Sequence, residues 1–483
     1  MSSSLFRRKT VSQVISEAES GHGRLQRSLS ALDLTMIGIG AIIGAGIFAI
    51  TGSAAATKAG PAIVLSFVLS AMGCACAGLC YAEMAAMIPV AGSAYTYAFA
   101  TLGELLAWMI GWGLVLEYAV GAITVAISWS GYFVDFLKGF GINLPLEWCN
   151  GYLATFTGAD GLVHHGILNV PAVLLVAAIT TLLIVGVKES ARATGIIVVL
   201  KLVVVLAFLA IGVRFVKPEN WSPFLPFGWK GVVGGAGLIF FSYIGFDAVT
   251  TMSEEAKDPK RDLPIGILAS LVICTILYIA VSAVLTGIVP YTELNVPAPV
   301  ALALRHTGVN WGAFLVSLGA LAGLGSVVLV MMMGQPRVFM AMSRDGLLPA
   351  GISKIHPRFH TPYRSTLLTG GLVAVASSTM NVELAGSLTS MGTLFAFVLV
   401  CVGVMILRRT DPTISRPFRT PWVPFIPIAG SLICLLMMIG LDKKTQTTFL
   451  VWISIGLVVY FGYGRGHSRM NAAPAAARDT SAR

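Results

Sequence analysis

Apolar windows of about twenty residues recur along the whole chain, and that is the length an α-helix needs to cross the hydrocarbon of a bilayer. They fall at roughly 34–56, 61–88, 105–137, 167–186, 193–216, 232–253, 264–289, 312–342, 364–380, 385–407, 423–440 and 447–463. Only 11% of the 483 residues are charged and 56% are hydrophobic, against about 25% charged in a soluble domain. The chain reads as an all-α integral membrane protein of about twelve transmembrane helices, and no soluble fold competes.

The cations give the orientation. With residues 1–33 in the cytoplasm, the loops on that side hold roughly three times the Lys and Arg of the opposite loops. Both termini are therefore expected in the cytoplasm, and the formal charge of +10 needs no nucleic-acid partner. Residues 1–28 are polar and basic with no apolar core, unlike a signal peptide, so the first span is expected to serve as its own insertion signal. The tail 465–483 is polar and Ala-rich and is expected to be disordered. Six of the seven cysteines lie in apolar runs, and Cys149 has no second loop cysteine to pair with. Neither a disulfide framework nor a metal site is expected, and Cys74, Cys76 and Cys80 read as small apolar fillers.

Two windows are interrupted. Residues 36–53 read MIGIGAIIGAGIFAITGS, with glycine at 38, 40, 44, 46 and 52. Each glycine weakens a helix by about 1 kcal/mol relative to alanine, and an unsatisfied backbone group in lipid costs several kcal/mol. The sixth window, GGAGLIFFSYIGFDAVTTMSEEA, is broken around Ser242, Gly245 and Asp247. Five spans separate the two starts, so the broken helices enter from opposite faces. Two such helices at matching positions of two halves point to an inverted-repeat transporter with its site at the breaks. Amides opening the second half-helix suit a carboxylate, and freed carbonyls suit an ammonium. Together they fit the two charged groups of an amino acid. Gly40 and Gly44 also match the GxxxG spacing of close-packed helices; the second broken span is what favours unwinding. A dinucleotide reading of GIGAIIG fails, because no strand or downstream acid accompanies it.

LTMIGIGAIIGAGIF resembles the first-helix signature of the amino acid–polyamine–organocation (APC) superfamily of permeases. LCYAEMAAMIPVAGSAYTYAFATLGELLAWMIGWGLVLEY resembles its second and third helices. FFSYIGFDAVTTMSEEAKDPKRDLPIGI resembles its sixth helix and following loop, and MSRDGLLP its loop after helix eight. The bacterial cationic amino acid transporter branch is the most similar. The resemblance runs from about residue 25 to 465 and implies a LeuT-like 5+5 inverted repeat with two additional C-terminal helices. The expected organisation is a cytoplasmic segment 1–33, a first repeat 34–216, a second repeat 217–407, two helices in 408–464 and the tail 465–483. The resemblance places Ile42, Gly44, Ala45 and Gly46 on the first-helix substrate site, and Phe241, Ser242 and Ile244 on the sixth-helix site. Members often carry a hydroxyl where this chain has Ala45, so backbone amides are left to hold the carboxylate.

Ionisable groups inside a membrane are rare and functional by default. Lys201, in GIIVVLKLVVVLAFL, has no acid adjacent in sequence and is expected to be the proton-coupling group. In the superfamily, a helix-five lysine fills the volume that sodium takes in sodium-coupled relatives, so a proton and not sodium is the expected coupling ion, with no other cofactor. Glu117 matches a glutamate of the cationic branch and is expected at the substrate site. Met331 falls on a side-chain pocket position, where its bulk would favour a small neutral substrate such as alanine over arginine. Asp247 is expected to cap broken helix six, and Glu83 to be structural.

The leading expectation is a proton-coupled amino acid symporter of the plasma membrane. A polyamine permease or an amino acid exchanger of the same fold stands as the alternative, and a small accessory subunit is left open. A channel would need a repeated filter or charged ring, which the sequence does not offer. An enzyme would need clustered His, Cys or acids at depth, yet all seven histidines fall in loops or tails. A major-facilitator carrier is disfavoured because the loop after the second span, IPVAGSAYTYAFATLGE, has no Lys or Arg.

Overall fold

The computed structural model describes residues 7–9, 13, 28–88, 93–157, 162–186, 191–253, 255–359 and 361–471. Most of the segment 1–33 and of the tail 465–483 lies outside the described residues, and the disorder expected of the tail falls there. Among the described residues, seven helices are long and apolar enough to cross a membrane: Gly46–Met87, Glu104–Lys138, Gly195–Phe215, Pro259–Ile288, Asn310–Arg344, Val382–Thr410 and Lys443–His467. Three shorter apolar helices are Ala31–Ile42, Val170–Val185 and Phe425–Gly440. In lipid the backbone must close its hydrogen bonds internally, so long apolar runs have no alternative to helix.

Helix α1 (Ala31–Ile42) opens on a reciprocal cap: Ser30 Oγ accepts from the Asp33 amide, and the Asp33 carboxylate accepts from the Ser30 amide at 2.8 Å. After a break, helical turns at Gly46–Ile50, α2 (Thr51–Ala54) and Ala55–Ala59 carry the chain onward. Gly60, at φ +62°, and Pro61 then lead into α3 (Ile63–Met87) with no loop between. Proline suits the first turn of a helix, and the chain turns at Gly60 (φ +62°, ψ −147°), at the boundary expected between windows 34–56 and 61–88. A further discontinuity sits inside the first window, at Ile43, among the glycines expected to interrupt it.

Residues 88–104, expected as loop, contain α4 (Ser93–Thr101), which buries Tyr97 and Phe99. It is too short to register as a span. Next come α5 (Glu104–Lys138) and an antiparallel hairpin, β1 (Thr155–Thr157) with β2 (Val163–His165), in which Thr155 pairs with His165. Helices α6 (Val170–Val185), α7 (Ala191–Gly212) and α8 (Gly228–Ile239) precede the second break. Beyond it lie α9 (Pro259–Ile288), α10 (Pro299–His306), α11 (Asn310–Arg344), α12 (Tyr363–Thr379), α13 (Val382–Thr410), α14 (Phe425–Gly440) and α15 (Lys443–Val459).

The helices pair in a regular way. α3 lies along α9, α5 along α11, and α6 along α12. α1 rests on α9, α13 closes on α5, and α14 lies on the flank formed by α3, α8 and α13. Ionic clamps hold one end of the bundle. Glu83 accepts from Arg408 Nε at 3.0 Å, from Nη2 at 2.7 Å and from the Thr420 amide at 2.8 Å. Lys9 Nζ and Tyr95 Oη converge on the Asp345 carboxylate at 2.8 and 2.6 Å.

Candidate functional site

Both interrupted windows are broken helices. α1 ends at Ile42, Ile43 is extended (φ −72°, ψ 100°), and helix resumes at Gly46–Ile50. In the sixth window a tight turn at Phe240–Tyr243 follows α8, Ile244 is extended (φ −62°, ψ 134°) and Gly245 is left-handed (φ 118°), before a second tight helical segment, Phe246–Met252.

The breaks stand back to back, and two glycines make this geometry available. A Cβ on Gly46 would overlap the backbone and side chain of Ser242, and one on Gly245 would stand 2.8 Å from the Ala41 carbonyl carbon. Gly245 also needs its positive φ, which only glycine adopts at little cost. Gly44 lies against α11, where an added Cβ would be 3.3 Å from Val327.

An unwound helix leaves carbonyls without partners, and here side chains from other helices take them. Lys201 Nζ on α7 donates to Gly40 O at 2.8 Å and to Ile43 O at 3.0 Å. Gly323 leaves room for the lysine stem, since a Cβ there would stand 2.9 Å from Lys201 Cε. Tyr278 Oη on α9 lies 2.8 Å from Ile42 O and 2.9 Å from Ser242 O. Its single hydrogen is shared between the two breaks. The amides of residues 44–47 open the second arm, where the earliest closing bond runs from Phe48 N to Gly44 O at 3.4 Å. They are the donors a helix cannot satisfy from within.

Ile42, Ala45, Phe241, Ser242 and Ile244 are all at most 5% exposed. Ser242 Oγ, at the meeting point of the breaks, has no hydrogen-bond partner within the protein. An unpaired buried hydroxyl costs about 1–3 kcal/mol. Met331 on α11 faces Gly121 on α5, with its Sδ 3.5 Å from where a Cβ would stand and Thr389 of α13 alongside. Glu117, one turn along α5, is 2% exposed. The residue before the second tight segment, Phe246–Met252, is Gly245, and Asp247 lies in the first turn of that segment.

A cavity of about 1070 Å³ opens beyond the second arm of the first broken helix, lined by Ala49, Ser53, Ser128, Asp135, Arg305 and Glu383 among others. The break residues do not line it. Asp135 pairs with Arg305 and accepts from Ser317 Oγ at 2.8 Å, and Ser53 donates to Glu383. Tyr132 Oη donates to Phe48 O at 2.6 Å, tying the arm to α5 between cavity and breaks.

Tyr278 was missed by the sequence reading. A tyrosine in the middle of VICTILYIAVSAV is its signal, because a buried phenol almost always finds a partner. Gln335, in MMMGQPRVF, was missed as well: a carboxamide just before a proline inside an apolar window.

The amino acid permease family profile matches residues 29–462. The chain is 48% identical over 474 residues to the branched-chain amino acid permease BcaP of Bacillus subtilis (strain 168), covering 98% of this chain and all of that one. It is 46% identical over 469 residues to the methylthioribose transporter of the same organism, covering 97% of this chain and all of the relative. The vacuolar cationic amino acid transporter 4 of Arabidopsis thaliana is 39% identical over 416 residues, 85% of this chain and 68% of that protein.

Proposed function

This chain belongs to the amino acid permease family, and we propose that it carries amino acids by alternating access with a proton as coupling ion. It is a transporter and not an enzyme. The proposed organisation is twelve membrane helices with both termini in the cytoplasm: an inverted 5+5 repeat over 34–216 and 217–407, then two helices in 408–464. The pairing of α3 with α9, α5 with α11 and α6 with α12 supports the repeat, since each member of one half lies on its counterpart in the other. The proposed location is the plasma membrane.

The observation that carries this reading is the pair of breaks joined through Tyr278, with the Ser242 hydroxyl left unpaired between them. The amides of Gly44, Ala45 and Gly46 would receive the substrate carboxylate, and Ser242 with the backbone at Ile244 would receive its ammonium. Ile42, Phe241, Ile244 and Met331 would wall the side chain. That wall is apolar, which favours a neutral substrate, and the similarity to a branched-chain permease agrees with it. Lys201 bridges carbonyls at the first break where a cation would otherwise be needed. We read it as the proton-coupling group, with no sodium site.

Uptake into proteoliposomes tests this, with an imposed inward proton gradient and labelled leucine, alanine, arginine, putrescine and methylthioribose. Leucine or alanine should accumulate only with the gradient, and putrescine should not compete in counterflow. Uptake of methylthioribose with no amino acid uptake would overturn the substrate. Accumulation indifferent to pH would overturn the coupling.

A further inference from the structure

Gln335 is 1% exposed, and neither its Nε2 nor its Oε1 has a hydrogen-bond partner within the protein. A carboxamide has two donors and an acceptor oxygen, and buried polar groups are almost always paired. Its position in the bundle says what it faces. α5 and α11 pack antiparallel: Gly121 meets Met331, and Gly334 meets Tyr118, with an added Cβ on Gly334 standing 2.7 Å from the Tyr118 ring. Residues 331, 334 and 335 and residues 121, 118 and 117 share one helix-face spacing, so the same register sets Gln335 level with Glu117. Thr393, one turn beyond Thr389 on α13, donates its hydroxyl back to Thr389 O at 3.1 Å. Pro336 follows directly and has no N–H, which frees the Met332 carbonyl in the same turn.

We propose that Gln335 and Glu117 form a polar subsite one turn past Met331 that binds a hydrogen-bond donor at the end of the substrate's side chain. An amide or an ammonium has that chemistry. Gln335 Oε1 and the Glu117 carboxylate accept from the donor, and Gln335 Nε2 donates to an amide oxygen where there is one. Met331, unbranched and pliable, lies above the subsite and can yield to a longer side chain. The proposal rests on the amino acid reading of the breaks. It adds a specificity residue that the apolar wall alone does not provide.

The test compares near-isosteric pairs as competitors of labelled methionine uptake: glutamine against methionine, and lysine against norleucine. The first pair reports an amide, the second an ammonium. In the wild-type protein at least one polar member should inhibit. In Gln335→Leu that member should lose about tenfold or more in affinity relative to its apolar twin, because a site built for a hydrogen bond discriminates against groups lacking one. Methionine and norleucine should stay within about twofold. Gln335→Glu should restore inhibition by lysine. Wild-type protein blind to both glutamine and lysine, or a polar-to-apolar ratio unchanged in Gln335→Leu, overturns the subsite while leaving the amino acid reading intact. If Gln335→Leu does not insert, Gln335→Met is read on the same ratio. Failure of every amino acid to bind wild-type protein defeats the underlying reading instead.

Discussion

The two breaks differ in how their loose backbone is satisfied. At the first, side chains from α7 and α9 take the carbonyls of Gly40, Ile42 and Ile43. At the second, Tyr278 takes Ser242 O but the Ser242 hydroxyl beside it stays unpaired. At the first break the protein fastens the carbonyls and leaves the amides of residues 44–47 open, while the second keeps a hydroxyl in reserve. A transporter needs that asymmetry, since a site fully satisfied by its own residues has nothing to offer a ligand, while a site with nothing satisfied would not hold its shape in lipid.

The largest expected effect removes the contact between the breaks. Gly46→Leu would place a side chain into the backbone of Ser242. Overpacking of this kind costs about 1–3 kcal/mol or more, and uptake should be abolished, with inserted protein confirmed by surface labelling. Normal uptake in that variant would break the comparison at its root. Next is Lys201→Met, which strips the donor from two carbonyls. Gradient-driven accumulation should disappear while counterflow exchange persists; accumulation that still follows the gradient would remove Lys201 from coupling. Tyr278→Phe should lower thermal stability by about 0.6–1.7 kcal/mol, the range of interhelical hydrogen bonds in membranes, and weaken binding with it. Smallest in stability is Ser242→Ala. Its hydroxyl is buried with no protein partner, so removing it lifts a desolvation penalty and the melting temperature should hold or rise, while substrate affinity falls about tenfold, equivalent to about 1.4 kcal/mol. If stability drops instead, Ser242 belongs to the fastened side.

Much of this was legible in the sequence. Apolar length located the helical segments, and the glycines with Ser242 and Gly245 located the breaks, because backbone in lipid leaves few choices. Two things were not legible. Gly60–Pro61 joins two helical runs with no loop between them, a tight turn that hydropathy does not show, and α4 was too short to show as a window. The partners of the freed carbonyls come from helices far off in sequence, such as Tyr278 for Ile42 and Ser242. Periodicity along one chain carries no information about which distant side chain meets an orphaned carbonyl, and the same holds for Gln335 opposite Glu117.

A structure of the protein with leucine bound tests the central claim most directly. The account predicts the carboxylate about 3 Å from the amides of residues 44–46 and the ammonium at the Ser242 hydroxyl, both at hydrogen-bond distance. Leucine seated only in the cavity between Ser53 and Asp135, with the breaks unchanged and Ser242 untouched, would contradict it.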